Sequence, residues 1–398
     1  MTALASIRRR RTALMLSANL LAVAALAGLG YTGVRALQRY EGATKVGVES
    51  IKLPVTPVGM LGTVDDNDVL TSVTVFVLKA GSQLGGAIVS VPVSADSTPL
   101  PAGETRVPLT EVYRDSGAEG LVLQVESVLS ITIDVSAVVP AADAEALLSA
   151  VAPVKATFST PVLATDRGDT VALFEAGENS LSAAQVAEVL TATDAEQRDA
   201  DRRGNHLAIW TGVAASVGSG RVTPDATAPI NTLADLIGRL FAAPAEARGL
   251  PTDPVPTADN PDRKDVDTLV HHEAIFMLAS VAPASMSPSA PGLSFRIEAP
   301  PGYEERVKFA VRAVLYLGAN VQSVYLGGDV HAATRYYIDD PRLVEEAESN
   351  NALFGTTETL TPELPIEGID VILQLGTDFL TGEGDALPTT TTTTTEPA

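Results

Sequence analysis

The run Asp199-Ala200-Asp201-Arg202-Arg203 sets two carboxylates beside two guanidiniums. Guanidinium forks grip phosphate or carboxylate oxygens, and a carboxylate can hold a divalent cation, so these residue types suit the docking of an anionic group. Its plainer reading is a solvated, self-compensating charge run. His271-His272-Glu273 offers metal-ligand chemistry, but adjacent helical side chains point about 100° apart and do not readily face one ion, which favours a structural or surface role. Gly327-Gly328-Asp329-Val330-His331 reads as a turn, because no Lys-Ser/Thr follows to complete a phosphate loop. With no cysteine in the chain, thiolate nucleophiles, thiolate metal sites and disulfides are all excluded. Gly-x-Ser-x-Gly, His-Glu-x-x-His and Walker patterns are absent, and the single tryptophan, Trp210, sits among apolar residues and reads as core.

The elements that must position these residues follow from periodicity. Residues 73–78 and 87–92 are β-branched runs flanking a glycine-containing break at 79–86, the pattern of a hairpin of buried strands. Helical patterns at 120–130, 141–151, 182–190 and 205–217 alternate with strand-like runs at 131–135 and 154–158. Residues 242–263, rich in Pro, Asp, Thr and Ala, read as a linker. A second unit follows: strands at 293–299, 320–325, 334–338 and 370–374, with helices at 303–317 and 341–353. The fold class expected is α/β (α+β), with a mixed sheet and covering helices followed by a small βαββαβ domain.

The ends differ in kind from the middle. Residues 1–40 hold six arginines and no acid, although the chain as a whole carries 27 basic and 49 acidic side chains. Arg8 to Arg11 precede an uncharged apolar run, residues 12–34, whose helical length of about 35 Å is enough to cross a hydrocarbon core of roughly 30 Å. The positive-inside rule keeps 1–11 in the cytoplasm and exports the rest. The competing reading is a cleaved signal peptide ending near Ala25-Leu26-Ala27. The acidic body is repelled by phosphate backbones, which argues against nucleic acid as a partner. Residues 382–398, with an unbroken threonine run at 389–395, read as a disordered tail. The resulting organisation is a basic segment at 1–11, a membrane anchor at 12–34, a domain at 45–220, a helical segment and Pro-rich linker at 221–291, a second domain at 292–381 and the tail.

The order of motifs resembles the LytR/CpsA/Psr family of membrane-anchored envelope proteins, whose members attach glycopolymers to peptidoglycan from a polyprenyl-pyrophosphate donor. Ser130-Ile131-Thr132-Ile133-Asp134 is similar to the family's "GI-x-ID". Residues 175–185, with Gly177, Leu181 and Gln185, resemble its "aG-x-x-x-LdG-x-qA". Asp199 to His206 follows the spacing of its "D-x-x-R-x-x-R/N-Q". The likeness covers roughly Val46 to Val217. Residues 292–379 resemble the LytR C-terminal domain, including a closing "vvlG-x-D" at Ile372 to Asp378, although two prolines, Pro300 and Pro301, replace that family's asparagine-glycine loop.

The departures fall where the family's chemistry lies. Its Arg-x-Asp corresponds to Leu70-Thr71-Ser72, its Ser-x-Pro-Arg-Asp to Ser90-Val91-Pro92-Val93-Ser94, and its later arginine pair to Thr191-Ala192-Thr193. Pyrophosphate departure needs guanidiniums and a carboxylate-held Mg²⁺, which valine and leucine do not supply. The resemblance therefore implies a catalytically degenerate module with no catalytic residue and no cofactor. Asp199 and Arg202 remain as ligand-binding residues, and the partners are the membrane and either a polyprenyl-linked glycan or other envelope proteins. The alternative is an active phosphotransferase using Mg²⁺ and displaced residues Arg106, Arg114, Arg167 and Arg202.

Overall fold

The computed structural model describes residues 49–97, 106–194, 196–217, 228–287, 291–348 and 353–382. The expected anchor at 12–34 and the threonine tail from 383 onward lie outside them. Among the described residues no helix is long and apolar enough to cross a membrane.

Three antiparallel strands start the first sheet: β1 (Val58–Val64), β2 (Leu70–Leu78) and β3 (Gly86–Val91). After helix α1 (Leu109–Leu129), strand β4 (Val135–Val139) adds parallel to β1. Period-2 alternation sends Met60, Val73, Val75, Val77, Val89 and Val91 to one face and Leu61, Phe76, Leu78 and Ile88 to the other. Both faces are buried, so the strands read as near-continuous apolar runs. α1 begins well before the helix expected at 120–130, and Gly117, at φ 66°, interrupts its regular geometry.

The second face is covered by α2 (Ala141–Leu148), two small hairpin layers formed by β5 (Val154–Phe158), β6 (Val162–Asp166), β7 (Asp169–Phe174) and β8 (Gly177–Leu181), then α3 (Ala183–Thr191), α4 (Asp199–Ser216) and α5 (Leu233–Leu240). Ser182 and Gln185 form a reciprocal capping box that starts α3. α4 starts at Asp199, six residues before the helix read from the sequence, so the charged run forms its first turn. Trp210 of α4 is fully buried and meets Phe76 edge-on at 5.4 Å, as its apolar surroundings in the sequence indicate.

The expected linker at 242–263 is instead part of the folded body. Residues 245–249 form β9 (Ala245–Gly249), the fifth strand of the first sheet, parallel to β3. β10 (Thr252–Pro254) pairs with β11 (Asp267–Leu269), and α6 (His271–Val281) buries Ala274 through Ala279 consecutively. That unbroken burial reflects contacts on several sides: α6 touches α1 and also the first helix and an edge strand of the second sheet.

The second sheet contains β12 (Ser294–Ala299), β13 (Asn320–Leu326), β14 (Thr334–Ile338), β15 (Thr357–Leu360) and β16 (Val371–Gln374) in the order β13-β12-β16-β14-β15. α7 (Glu304–Tyr316) makes the parallel crossover from β12 to β13 and covers one face with Val307, Ala310, Val311 and Val314. The helix expected at 341–353 is a short turn followed by α8 (Val344–Glu348), and α9 (Thr377–Leu380) closes the unit.

Candidate functional site

The N-terminus of α4 carries the charged run against the end of β3. Ser94, three residues beyond β3, places its Oγ 2.9 Å from Asp199 Oδ2 and 3.2 Å from Asp267 Oδ2. All three residues are buried. Asp267 arrives from β11, held by its backbone N–H donating to Ser94 O at 2.9 Å, and it pairs with Arg203 Nη2 at 3.0 Å. Arg203 Nη1 also donates to Thr252 Oγ1 at 2.6 Å. The Asp199 backbone N–H donates to Asp265 Oδ2, whose other oxygen accepts from Arg198 Nε at 3.0 Å.

One hydroxyl proton cannot satisfy two carboxylate oxygens. Asp267 has its arginine, whereas burial holds the Asp199 carboxyl above its ordinary range, and Arg202, Ser94 and Arg203 offset that only in part. Ser94 Oγ donates toward both carboxyls, and its backbone N–H lies 3.4 Å from the same Asp199 oxygen. Asp199 is thus committed to internal bonds and shapes the start of α4 rather than presenting an oxygen to solvent.

Arg202 is the less committed of the two residues singled out by sequence. Its Nη1 donates to Ala192 O at 3.2 Å, and its Nε is buried without a hydrogen-bond partner. It borders a cavity of about 10 Å³ with Val189, Asn205 and His206. Burial and the Arg202 charge push His206 down to about 3, so that ring is neutral at physiological pH.

Where the resemblance calls for Arg-x-Asp, the structure has a dry knot of hydroxyls. Thr63 Oγ1 lies 2.8 Å from Thr71 Oγ1 and 2.7 Å from Ser72 Oγ, and it donates to Leu190 O of α3 at 3.0 Å. A bulge at Thr63/Val64 brings both Thr71 and Ser72 to it. Leu70 and Val93 are in the apolar core on the α1 side. The arginines considered as displaced catalysts have separate partners. Arg106 pairs with Asp96 at 2.7 Å, Arg114 with Asp115 at 2.9 Å, and Arg167 lies 3.9 Å from Asp166 in an exposed turn. The site thus offers a guanidinium edge for an anion and a buried carboxyl behind it.

Sequence reasoning named Arg203 only as part of the charged run, without its partner, and missed Arg198, Thr252, Asp265 and Asp267. The last three lie within or beside the segment read as linker; the alternation of Val266 and the two aspartates was the signal available. Among the described residues no group of three or more potential ligands could hold a metal ion, and burial is the leading cause pulling both His271 and His272 down.

No family model and no curated protein matches the chain. Solved structures similar to it include TagV of B. subtilis, at 12% identity over 56% of this chain and 93% of that one with a TM-score of 0.39. A LytR-Csp2A-Psr enzyme from Actinomyces oris is 16% identical over 55% and 89%, with a TM-score of 0.37. A LytR-CPS2A-psr family protein, YwtF (TagT), with bound octaprenyl pyrophosphate lipid, is 14% identical over 55% and 86%, with a TM-score of 0.36.

Proposed function

We propose that this chain is a membrane-anchored, extracytoplasmic envelope protein that binds or scaffolds a lipid-linked glycan or a wall-assembly partner and does not transfer the glycan. Residues 12–34 anchor it, and the body from residue 45 onward is exported. The observation that supports loss of transfer is the Thr63-Thr71-Ser72 knot. It fills, with mutually satisfied hydroxyls, the place where the motif resemblance calls for a carboxylate, while Leu70, at the guanidinium's place, lies in the apolar core. Ser94, at the second such place, is bonded to Asp199 and Asp267. Neutral, water-excluded hydroxyls do not hold Mg²⁺ or meet the charge that develops on a leaving pyrophosphate.

Binding has a different requirement, a cation and an apolar wall. Arg202 supplies the cation, with Asp199 fixing the helix start that presents it. A separate groove of about 700 Å³ along the β4 edge, lined by Val135, Ala137, Val139, Leu147 and Leu233 together with Asp134 and Asp143, offers partly apolar surface. The test is to offer the full chain a polyprenyl-pyrophosphate-linked sugar with Mg²⁺, and separately a polyprenyl phosphate in detergent. No release or transfer is expected, and Arg202→Ala should weaken polyprenyl phosphate binding by about 1–3 kcal/mol. Turnover that Arg202→Ala abolishes would overturn the non-catalytic reading. Equal affinity of wild type and Arg202→Ala would remove Arg202 from the binding site.

A further inference from the structure

The face of the second sheet turned away from α7 carries one register row across all five strands. Tyr325 pairs with Glu298, Glu298 with Gln374, Gln374 with Arg335, and Arg335 with Glu358. In-register partners project to the same side, and four strand spacings make this row about 19 Å long. Its internal contacts are consistent: Gln374 Nε2 donates to Glu298 Oε2 at 2.9 Å, Arg335 Nε meets Glu358 Oε2 at 3.2 Å, and Arg296, one pleat away, meets Glu298 Oε1 at 2.6 Å.

The chemistry of the row excludes one kind of partner and fits another. In a chain of net charge −22, this strip sets two arginines against two glutamates, each already paired within it. An ionic partner would have to break those pairs to gain its own. A chain of uncharged hydroxyl groups needs only planar donors and acceptors, which glutamate, glutamine and guanidinium present along the strip. At its end Tyr325 is 48% exposed, although most side chains of that size are well buried here. Arg296 stacks on its ring at 5.2 Å, and Gly327 leaves the space the ring needs, since a Cβ there would come within 2.7 Å of the phenol carbon. An aromatic ring fixed before binding is a low-entropy contact surface. Gln374 Oε1, in the middle of the row, is buried without a donor, and its Nε2 is bonded to Glu298, so of the row it is Tyr325 that stands most open to a ligand.

We infer that this sheet face is a binding platform for a neutral oligosaccharide strand, with Tyr325 stacking on a sugar ring and the Glu298-Gln374-Arg335 strip hydrogen-bonding along the chain. The inference does not depend on the anion site at Arg202. The probe carries neither lipid nor phosphate, so either reading can fail alone.

The experiment is calorimetric or NMR titration of the full chain with chitotetraose and cellotetraose. Saturable binding of at least one is expected, nearly independent of salt because the strip's charges are already paired. Tyr325→Ala should weaken it about tenfold, and Tyr325→Phe, which keeps the ring, should retain it, with both variants melting as the wild type does. Absence of binding to both tetrasaccharides would overturn the proposal. So would equal affinity of wild type and Tyr325→Ala, or a steep salt dependence with preference for a sulfated tetrasaccharide, the signature of an ionic partner.

Discussion

Ser94 Oγ lies 2.9 Å from Asp199 Oδ2, joining the end of β3 to the first turn of α4 through a carboxyl group whose pKa burial raises. A carboxyl whose folded-state pKa is raised contributes stability that is fully present below its unfolded value and is lost as pH rises through its folded value. Wild-type stability should therefore fall relative to Asp199→Asn as pH rises from about 4 towards 8. The amide keeps an oxygen that can accept from Ser94 and has no proton to lose. Thermal unfolding of both proteins across that range measures it; a difference that stays constant with pH would mean that Asp199 is ionised throughout.

His206 titrates in the opposite sense. Buried in α4 and facing the Arg202 charge, it is held down to about 3, so a proton added in acid favours the unfolded chain, where the ring has its ordinary affinity. The stability it confers is complete above its unfolded value near 6.5 and diminishes as pH falls below that. The His206 ring resonances should not move between about pH 8 and 5. A titration midpoint near the ordinary histidine value would place the ring in contact with water.

Legibility in the sequence was uneven for reasons particular residues make clear. β2 and β3 were read from Val73 to Leu78 and Ala87 to Val91 because β-branched residues on both faces leave no other stable arrangement. Of the charged motif, Asp199 and Arg202 were recognised by spacing, but their partners were not. Ala245-Glu246-Ala247-Arg248-Gly249 contains no β-branched or aromatic side chain, and it is a strand because β3 offers it an open parallel edge. With that segment read as linker, Asp267 and Thr252 had no reason to approach α4. The run at 199–203 looked self-compensating, and it is only partly so: Arg203 and Arg198 turn to aspartates more than sixty residues away.

Two glycines in α4 should respond oppositely to alanine. At Gly212 a Cβ would lie 2.1 Å from Lys155 O, so Gly212→Ala must push α4 off β5, at a cost of about 1–3 kcal/mol or more. At Gly204 the nearest atom is Ser159 Oγ at 3.6 Å, and Gly204→Ala should stabilise the helix by about 0.5–1 kcal/mol. Denaturant midpoints for the two variants check this, and a shift of the same sign in both would contradict the close approach of α4 to β5.

The hydroxyl knot gives the sharpest prediction about chemistry. Ser72 is 4% exposed and hydrogen-bonds the Thr63 hydroxyl, itself bonded to Thr71 and to the Leu190 carbonyl. Reinstating the family's residues as Leu70→Arg with Ser72→Asp would put a guanidinium into the apolar core on the α1 side and a carboxylate among oxygen acceptors. The two groups would enter environments on opposite faces of the sheet, so neither compensates the other's desolvation. The double variant should lose about 3 kcal/mol or more of stability, and Ser72→Asp alone should raise the new carboxyl's pKa. Neither should turn over a polyprenyl-pyrophosphate donor with Mg²⁺. Unfolding midpoints and a donor-hydrolysis assay on the same preparations decide it: a variant that folds with undiminished stability and gains turnover would show that the site is vacant rather than closed, and that only its charges were missing.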